Sequence, residues 1–253
     1  MASNTFFFPR PKARFFFVYK TMEALSGWEP SDNYQVRLSN AMKRGDVTIH
    51  SQRATHVYPF GPRPGFACLD ITGVVNRSGI KLQTFALLSG DAKSCLVLLN
   101  GPKRQHALLV AQFRLPYGGY LIEACAGIVN NGNFKMVDEL EEELDFDTEG
   151  EELKYVGQCV PSGGRATEVV DMYVLEKTLS GDEIAAIAKK CGRANVVVKD
   201  GVKTLEVDMD SLPAKALGLP KEREATYPIL LPSEDILKLS DPKAVMAYVR
   251  HMQ

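Results

Sequence analysis

The residues of this chain best suited to chemistry are Glu139, Glu142 and Glu143, in the run Asp138-Glu-Leu-Glu-Glu-Glu-Leu-Asp-Phe146. On a helix, positions i, i+3 and i+4 share one face, so three carboxylates gather there. Like charges at that spacing repel. A divalent cation with oxygen ligands turns the repulsion into attraction, and Mg²⁺ or Mn²⁺ that also holds substrate phosphates is the usual case. The alternative is a solvated acidic face, and the spacing alone leaves both readings open.

The segment from Ala124 to Asp147 resembles a Nudix box, whose pattern is Gly-x5-Glu-x7-Arg-Glu-U-x-Glu-Glu-x-Gly-U, with U aliphatic or aromatic. Gly127 takes the first glycine, Glu139-Leu140-Glu141-Glu142-Glu143 the Glu-U-x-Glu-Glu core, and Phe146 the last U. Asp138 stands in place of the arginine that orients the catalytic glutamates in the family, and Asp145 in place of the second glycine. The upstream glutamate has no counterpart.

The surroundings resemble one branch of that family, the UDP-sugar and ADP-sugar (ADP-ribose) diphosphatases. Gln112-Phe113-Arg114 ends a hairpin, Glu123-Ala-Cys-Ala-Gly127 follows it, and Val156 to Gly164 matches the later strand and its Pro-Ser-x-Gly loop, with Glu168 just beyond. The resemblance covers residues 66–253 and implies an α/β fold, an α/β/α sandwich on a mixed sheet with an N-terminal extension. It implies metal-dependent hydrolysis of a nucleoside diphosphate linked to another moiety, most simply a UDP- or ADP-sugar. Mg²⁺ or Mn²⁺ would be held by Glu139, Glu142, Glu143 and the Ala126 carbonyl. Gln112, Arg114 and Glu123 would face the substrate, and Glu168 or Glu206 would supply the further base taken from a later loop. Arg114 is also readable as a structural ion pair at a strand end, and Glu168 as a solvated loop residue. The strands near residues 66–90 imply a homodimer, because an N-terminal sheet packs on or exchanges with the partner in such enzymes.

The elements that must position these groups are legible from local signals. Ser94 to Leu99 and Ala107 to Arg114 flank a Gly101-Pro-Lys-Arg turn, an antiparallel hairpin. Asn130-Asn-Gly-Asn133 is suited to a tight turn before a box helix over Phe134 to Leu144. Tyr155 to Val160 and Val169 to Leu175 read as core strands, and Ile71 to Leu88 as two strands around Asn76-Arg-Ser-Gly79. Ser180-Gly-Asp-Glu183 is a capping box opening a helix that stops near Gly192. Asp200-Gly201 between two Val-rich runs marks a hairpin. Asp241-Pro242 starts a last helix with Val245, Tyr248 and Val249 as its apolar stripe. Pro59-Phe-Gly-Pro-Arg-Pro-Gly65 reads as a linker, dividing the chain into an extension, 1–65, and a main domain, 66–253.

The 253 residues, 45% of them hydrophobic, suffice for a full core. No apolar run approaches the roughly 18 residues of a transmembrane helix, so no membrane contact is expected. Five cysteines without C-x-x-C spacing indicate free thiols in a reducing compartment, cytoplasmic or mitochondrial rather than secreted. The four histidines form no ligand pattern.

The net charge of −1 hides an asymmetry. Residues 1–65 hold nine Lys/Arg against four Asp/Glu, a balance of +5, and the remainder holds 21 against 27, a balance of −6. Arg10, Lys12, Arg14 and Lys20 interleave with Phe6-Phe-Phe and Phe15-Phe-Phe-Val-Tyr19. That leader is readable as a mitochondrial targeting segment, as an RNA or ribonucleoprotein contact through phosphate pairing and base stacking, or as a packed strand from Phe15 to Tyr19. Two rivals to the sugar-diphosphatase reading follow: a Nudix-fold binding subunit, and an RNA 5′-end pyrophosphohydrolase.

Overall fold

Strand alternation and turn chemistry set the architecture seen in the computed structural model, which describes residues 32–60, 63–129, 134–148, 152–218 and 225–253. The leader of residues 1–20 and the Asn130–Asn133 turn lie outside them. Contacts divide the chain into two units, one running to Ser89 with Gly164–Ala166, the other comprising Gly90–Gly163 and Thr167–Gln253.

The first unit holds helix α1 (Asp32–Arg44) and strands β1 (Val47–Phe60), β2 (Arg63–Val75) and β3 (Ile80–Leu88), an antiparallel sheet in the order β1-β2-β3. Alternation along β2 places Ala67, Leu69 and Ile71 on one face. They bury with Leu88 against Tyr34, Ile49, Ala54, Val57 and Ala86. The Asn76–Gly79 turn joins β2 to β3, and Gly79 at φ 69° supplies its left-handed residue. Pro59, Phe60 and Arg63 to Gly65 lie in strands. They pair between β1 and β2, with Pro59 opposite Pro64 and Phe60 opposite Arg63. The expected boundary at 65/66 therefore falls inside a pair of strands.

The second unit is the α/β/α sandwich. Strands β4 (Ala92–Asn100), β5 (Gln105–Arg114), β6 (Gly119–Glu123), β7 (Cys125–Ile128), β8 (Lys154–Cys159), β9 (Val170–Thr178) and β12 (Thr226–Pro232) make one seven-stranded sheet. Its main path is β12-β5-β4-β9-β8, mixed because β4 and β9 run parallel and the other pairs antiparallel. Strands β10 (Arg193–Lys199) and β11 (Val202–Asp208) form a separate hairpin around Asp200-Gly201, both at positive φ as that turn requires. Helices α2 (Met136–Leu144) and α3 (Gly181–Lys190) cover one face, and α4 (Pro242–His251) the other.

β4 is buried on both sides. Leu96 and Leu98 face the α4 layer, with Ala244 and Ala247, while Cys95, Val97 and Leu99 face Met136, Leu140 and Leu144 of α2. The stripe of α4 is therefore its two alanines, flanked by Val245 and Tyr248, and Val249 is 42% exposed. Small side chains there let the helix lie close to the sheet. α3 starts at the expected capping box, Ser180 accepting from the Glu183 N–H and the Glu183 carboxylate from the Ser180 N–H. All five cysteines are free. Among the described residues no helix is long and apolar enough to cross a membrane.

The sheet forks. β4 pairs with β5 only over Val97–Asn100. Beyond that point β6 lies along β5 over Val110–Arg114, and β7 along β4 over Ala92–Cys95. Ala124 is the residue at which the chain steps from one prong to the other.

α2 begins at Met136, two residues later than expected, and ends on Asp145 at φ 50°, ψ 42°. This is the left-handed terminator for which glycine is the usual residue, and Asp145 occupies it with its N–H donating to the Glu141 carbonyl at 3.0 Å. Its carboxylate pairs with Lys190 on the exposed surface at 2.8 Å. Asp145→Gly removes the left-handed strain and should stabilise the chain by about 0.5–1 kcal/mol, visible as a melting midpoint raised by about 1–4 °C.

Candidate functional site

Arg114 ends β5 and Glu123 ends β6, two strands in direct register. Arg114 donates from Nε to Glu123 Oε1 at 2.7 Å and from Nη2 to Oε2 at 3.2 Å, a two-pronged match of guanidinium to carboxylate. Lys243, from the first turn of α4, donates to the same Oε2 at 3.1 Å and to Asp241 Oδ1 at 3.0 Å. Asp241 in turn accepts from the backbone N–H groups of Ala124 (3.0 Å), Lys243 (3.1 Å) and Ala244 (3.2 Å). One buried carboxylate thus caps α4 and satisfies the donor at the fork.

The electrostatics follow from the partners. Burial alone would raise the Glu123 carboxyl, but the Arg114 hydrogen bond and the two cations hold it below its usual value. Burial alone would lower the Lys243 ammonium, but Asp241 and Glu123 hold it above. Glu168 belongs to the same cluster. Burial raises its carboxyl first, Lys243 and Arg114 oppose, and Asp91 and Glu123 push it further up. Asp91 also accepts from the Val169 N–H at 3.2 Å, which fixes the residue after Glu168.

The box helix meets the other prong of the fork. Gly127 makes room for it: a Cβ there would stand 2.5 Å from Glu139 Cδ and from Phe134 Cε2. The Glu139 carboxylate therefore lies against the backbone of β7, next to Ala126. Glu143 is buried, and its carboxylate bonds the Cys125 thiol, whose ionisation burial and Glu143 together suppress. Glu142 is exposed, and its carbonyl accepts from the Gly218 N–H at 3.0 Å. Asp138 is exposed too, on an outer groove with Glu141, Asp145 and Asp147. It is therefore turned away from Glu139 and Glu143.

The structure thus brings Arg114, Glu123 and Glu168 together, and lays Glu139 and Glu143 on the Cys125–Gly127 strand. Gln112 is buried within β5, its backbone opposite Thr226 and Leu121. Glu206 stands apart from these groups in the pattern of pairing, forming an exposed ion pair with Lys199 on the β10–β11 hairpin. Sequence reasoning missed Asp91, Asp241 and Lys243. The Asp-Pro helix start pointed to Asp241 as a cap, but nothing local announced its second role.

Among the described residues no three or more His, Cys, Asp or Glu side chains form a group that could hold a metal ion. Mg²⁺ commonly takes only one or two carboxylates and completes its shell with water and substrate phosphates. Glu139 in its glycine cradle beside Ala126, with Glu143 of the same helix against Cys125, fits an ion bound in that manner. From Glu123 to Ala126 is three residues, at most about 10 Å of chain, so the strand residue beside Glu139 follows closely on the one held by Arg114 and Lys243.

No protein-family model matches the chain, and no curated protein sequence matches it. Among solved structures, a crystal structure of an ADP compounds hydrolase superimposes with a TM-score of 0.51 at 11% identity, covering 82% of this chain and 92% of that one. At that identity the likeness is one of fold: an α/β/α sandwich on a mixed sheet, as the sequence led one to expect.

Asp241→Ala deletes a helix cap and leaves the buried Ala124 N–H without its acceptor. It should cost about 2–4 kcal/mol in denaturant unfolding. Glu123 also sets an acid dependence. Its folded pKa lies below the unfolded value of 4.5, so its pairing stabilises above that pH and fades as pH falls through the folded value. The stability gap between wild type and Glu123→Gln, full near neutrality, should close as the medium is acidified below pH 4.5.

Proposed function

We propose that this chain hydrolyses the diphosphate of a nucleoside diphosphate linked to another moiety, an ADP- or UDP-sugar in the simplest case, with Mg²⁺ or Mn²⁺ as cofactor. The observation that carries this is the Glu139 carboxylate in the Gly127 cradle, on a strand that follows within three residues of Glu123 and its cations Arg114 and Lys243, with Glu143 buried one turn further along the helix of Glu139. The hydrolase with the related fold acts on ADP compounds, which supports an ADP-linked substrate.

Glu139 and Glu143, with the Ala126 carbonyl, would hold the metal, and Glu142 faces the solvent side of the same helix. When bound, the ion supplies charge neutralisation at the phosphates and a water of lowered pKa. Glu168 takes the proton from the attacking water: burial raises its carboxyl above the usual value, which makes its carboxylate the stronger base. Glu123 does not serve as that base, since Arg114 and Lys243 keep it charged and occupied. Its part is to hold the two cations at the edge of the site.

The test is a screen of ADP- and UDP-linked compounds for release of nucleoside monophosphate with Mg²⁺ or Mn²⁺. Turnover should fall about 10²–10⁴-fold in Glu168→Gln. Mg²⁺ at a hundredfold excess over its Kd should raise stability by about 2.7 kcal/mol, and Glu139→Gln with Glu143→Gln should abolish both that rise and the activity. A chain with neither turnover nor a metal-dependent shift in melting is a binding subunit built on the same fold.

A further inference from the structure

A diphosphate at Glu139 needs a cation on the α2 side of the sheet, and the one expected from sequence is engaged elsewhere. Arg114 is matched by Glu123, and Lys243 by Glu123 and Asp241. Lys93 is placed where the charge is wanted. It lies directly opposite Gly127 in the β4–β7 pair, and directly opposed residues in an antiparallel pair project from the same face, with Cβ atoms about 4.5–5.5 Å apart. The Cβ direction of Gly127 leads to the Glu139 carboxylate and the Phe134 ring. The flexible four-carbon stem of Lys93 therefore reaches the same space.

Its ammonium lies 5.9 Å from the ring centroids of both Phe134 and Tyr173. Ring faces orient a cation without neutralising it. Among the described residues no carboxylate pairs with Lys93, so its charge remains available to an incoming anion. Asp138, where the box pattern has arginine, is exposed on the outer groove, so the helix itself brings no cation to this spot.

We propose that Lys93 is the phosphate-binding residue of this site, contacting a phosphate oxygen of a nucleoside diphosphate held beside Glu139. This rests on the hydrolase reading and adds the residue that recognises the diphosphate. Binding of ADP and of UDP, each with MgCl₂, is measured by calorimetry on the full chain, with the melting midpoint recorded alongside. Lys93→Met keeps the apolar stem between the two rings and deletes the charge. It should weaken nucleotide binding about tenfold or more, the loss of a charge-assisted contact, at an unchanged melting midpoint. Lys93→Arg should stay within about threefold of wild type. Lys93→Gln is the same test should the methionine variant fail to fold. A charge-deleted variant that binds as tightly as wild type overturns the role of Lys93 and leaves the hydrolase reading standing. A wild type that binds neither nucleotide overturns the hydrolase reading, and the role with it.

Discussion

The fork in the sheet depends on one carboxylate. Where β6 leaves β5 and β7 joins β4, the backbone N–H of Ala124 has no strand to pair with, and Asp241 fills the gap from 117 positions away. The same side chain caps α4 and accepts from the Lys243 ammonium, which in turn holds Glu123. Remove Asp241 and three things loosen together: the fork, the helix start and the cation on Glu123. A buried polar group that serves a single partner is replaceable, whereas one that serves three is not.

This arrangement separates charge that supports the fold from charge left for a ligand. Arg114, Lys243, Glu123 and Asp241 satisfy one another at distances of 2.7–3.2 Å. Glu168 and Glu139 stand outside that set of ion pairs. Glu168 is half-buried beside the network and carries a raised carboxyl, and Glu139 occupies space that only a glycine at 127 leaves open. Glu168 lies within the field of the rigid set, with Lys243, Arg114 and Glu123 all acting on it. That is the arrangement expected of a site whose geometry must persist while its protonation changes.

Much of this was legible in the sequence, and the limits have a physical cause. The Ser180–Glu183 cap, the Asp200-Gly201 turn and the Asp241-Pro242 helix start depend on residues within three positions of one another, so local chemistry announces them. The box helix follows from its own periodicity, and the left-handed Asp145 explains how it stops without the glycine of the pattern. Pro59, Phe60 and Arg63 to Gly65 lie in paired strands, because proline and glycine punctuate hairpins as readily as linkers. The partners of Arg114 were beyond local reading: Lys243 lies 120 residues from Glu123, and no spacing rule connects them. Lys93 was hidden for a related reason. Its relevance comes from the register that sets it opposite Gly127, and register belongs to the fold.

The distance along the chain between Ala124 and Asp241 has a consequence for biosynthesis. Every strand of the sheet, through β12, is translated before Asp241. At about 5–20 residues per second, the 117 residues between them take about 6–23 s to make. Until that interval ends, the Ala124 N–H has no Asp241 to accept from it, and Glu123 has Arg114 but not Lys243 as a partner. Closure of the fork and completion of the charge network are thus a late event in the life of each molecule, timed by translation. A nascent chain stalled before α4 would carry all the strands of its sheet and still lack a finished site.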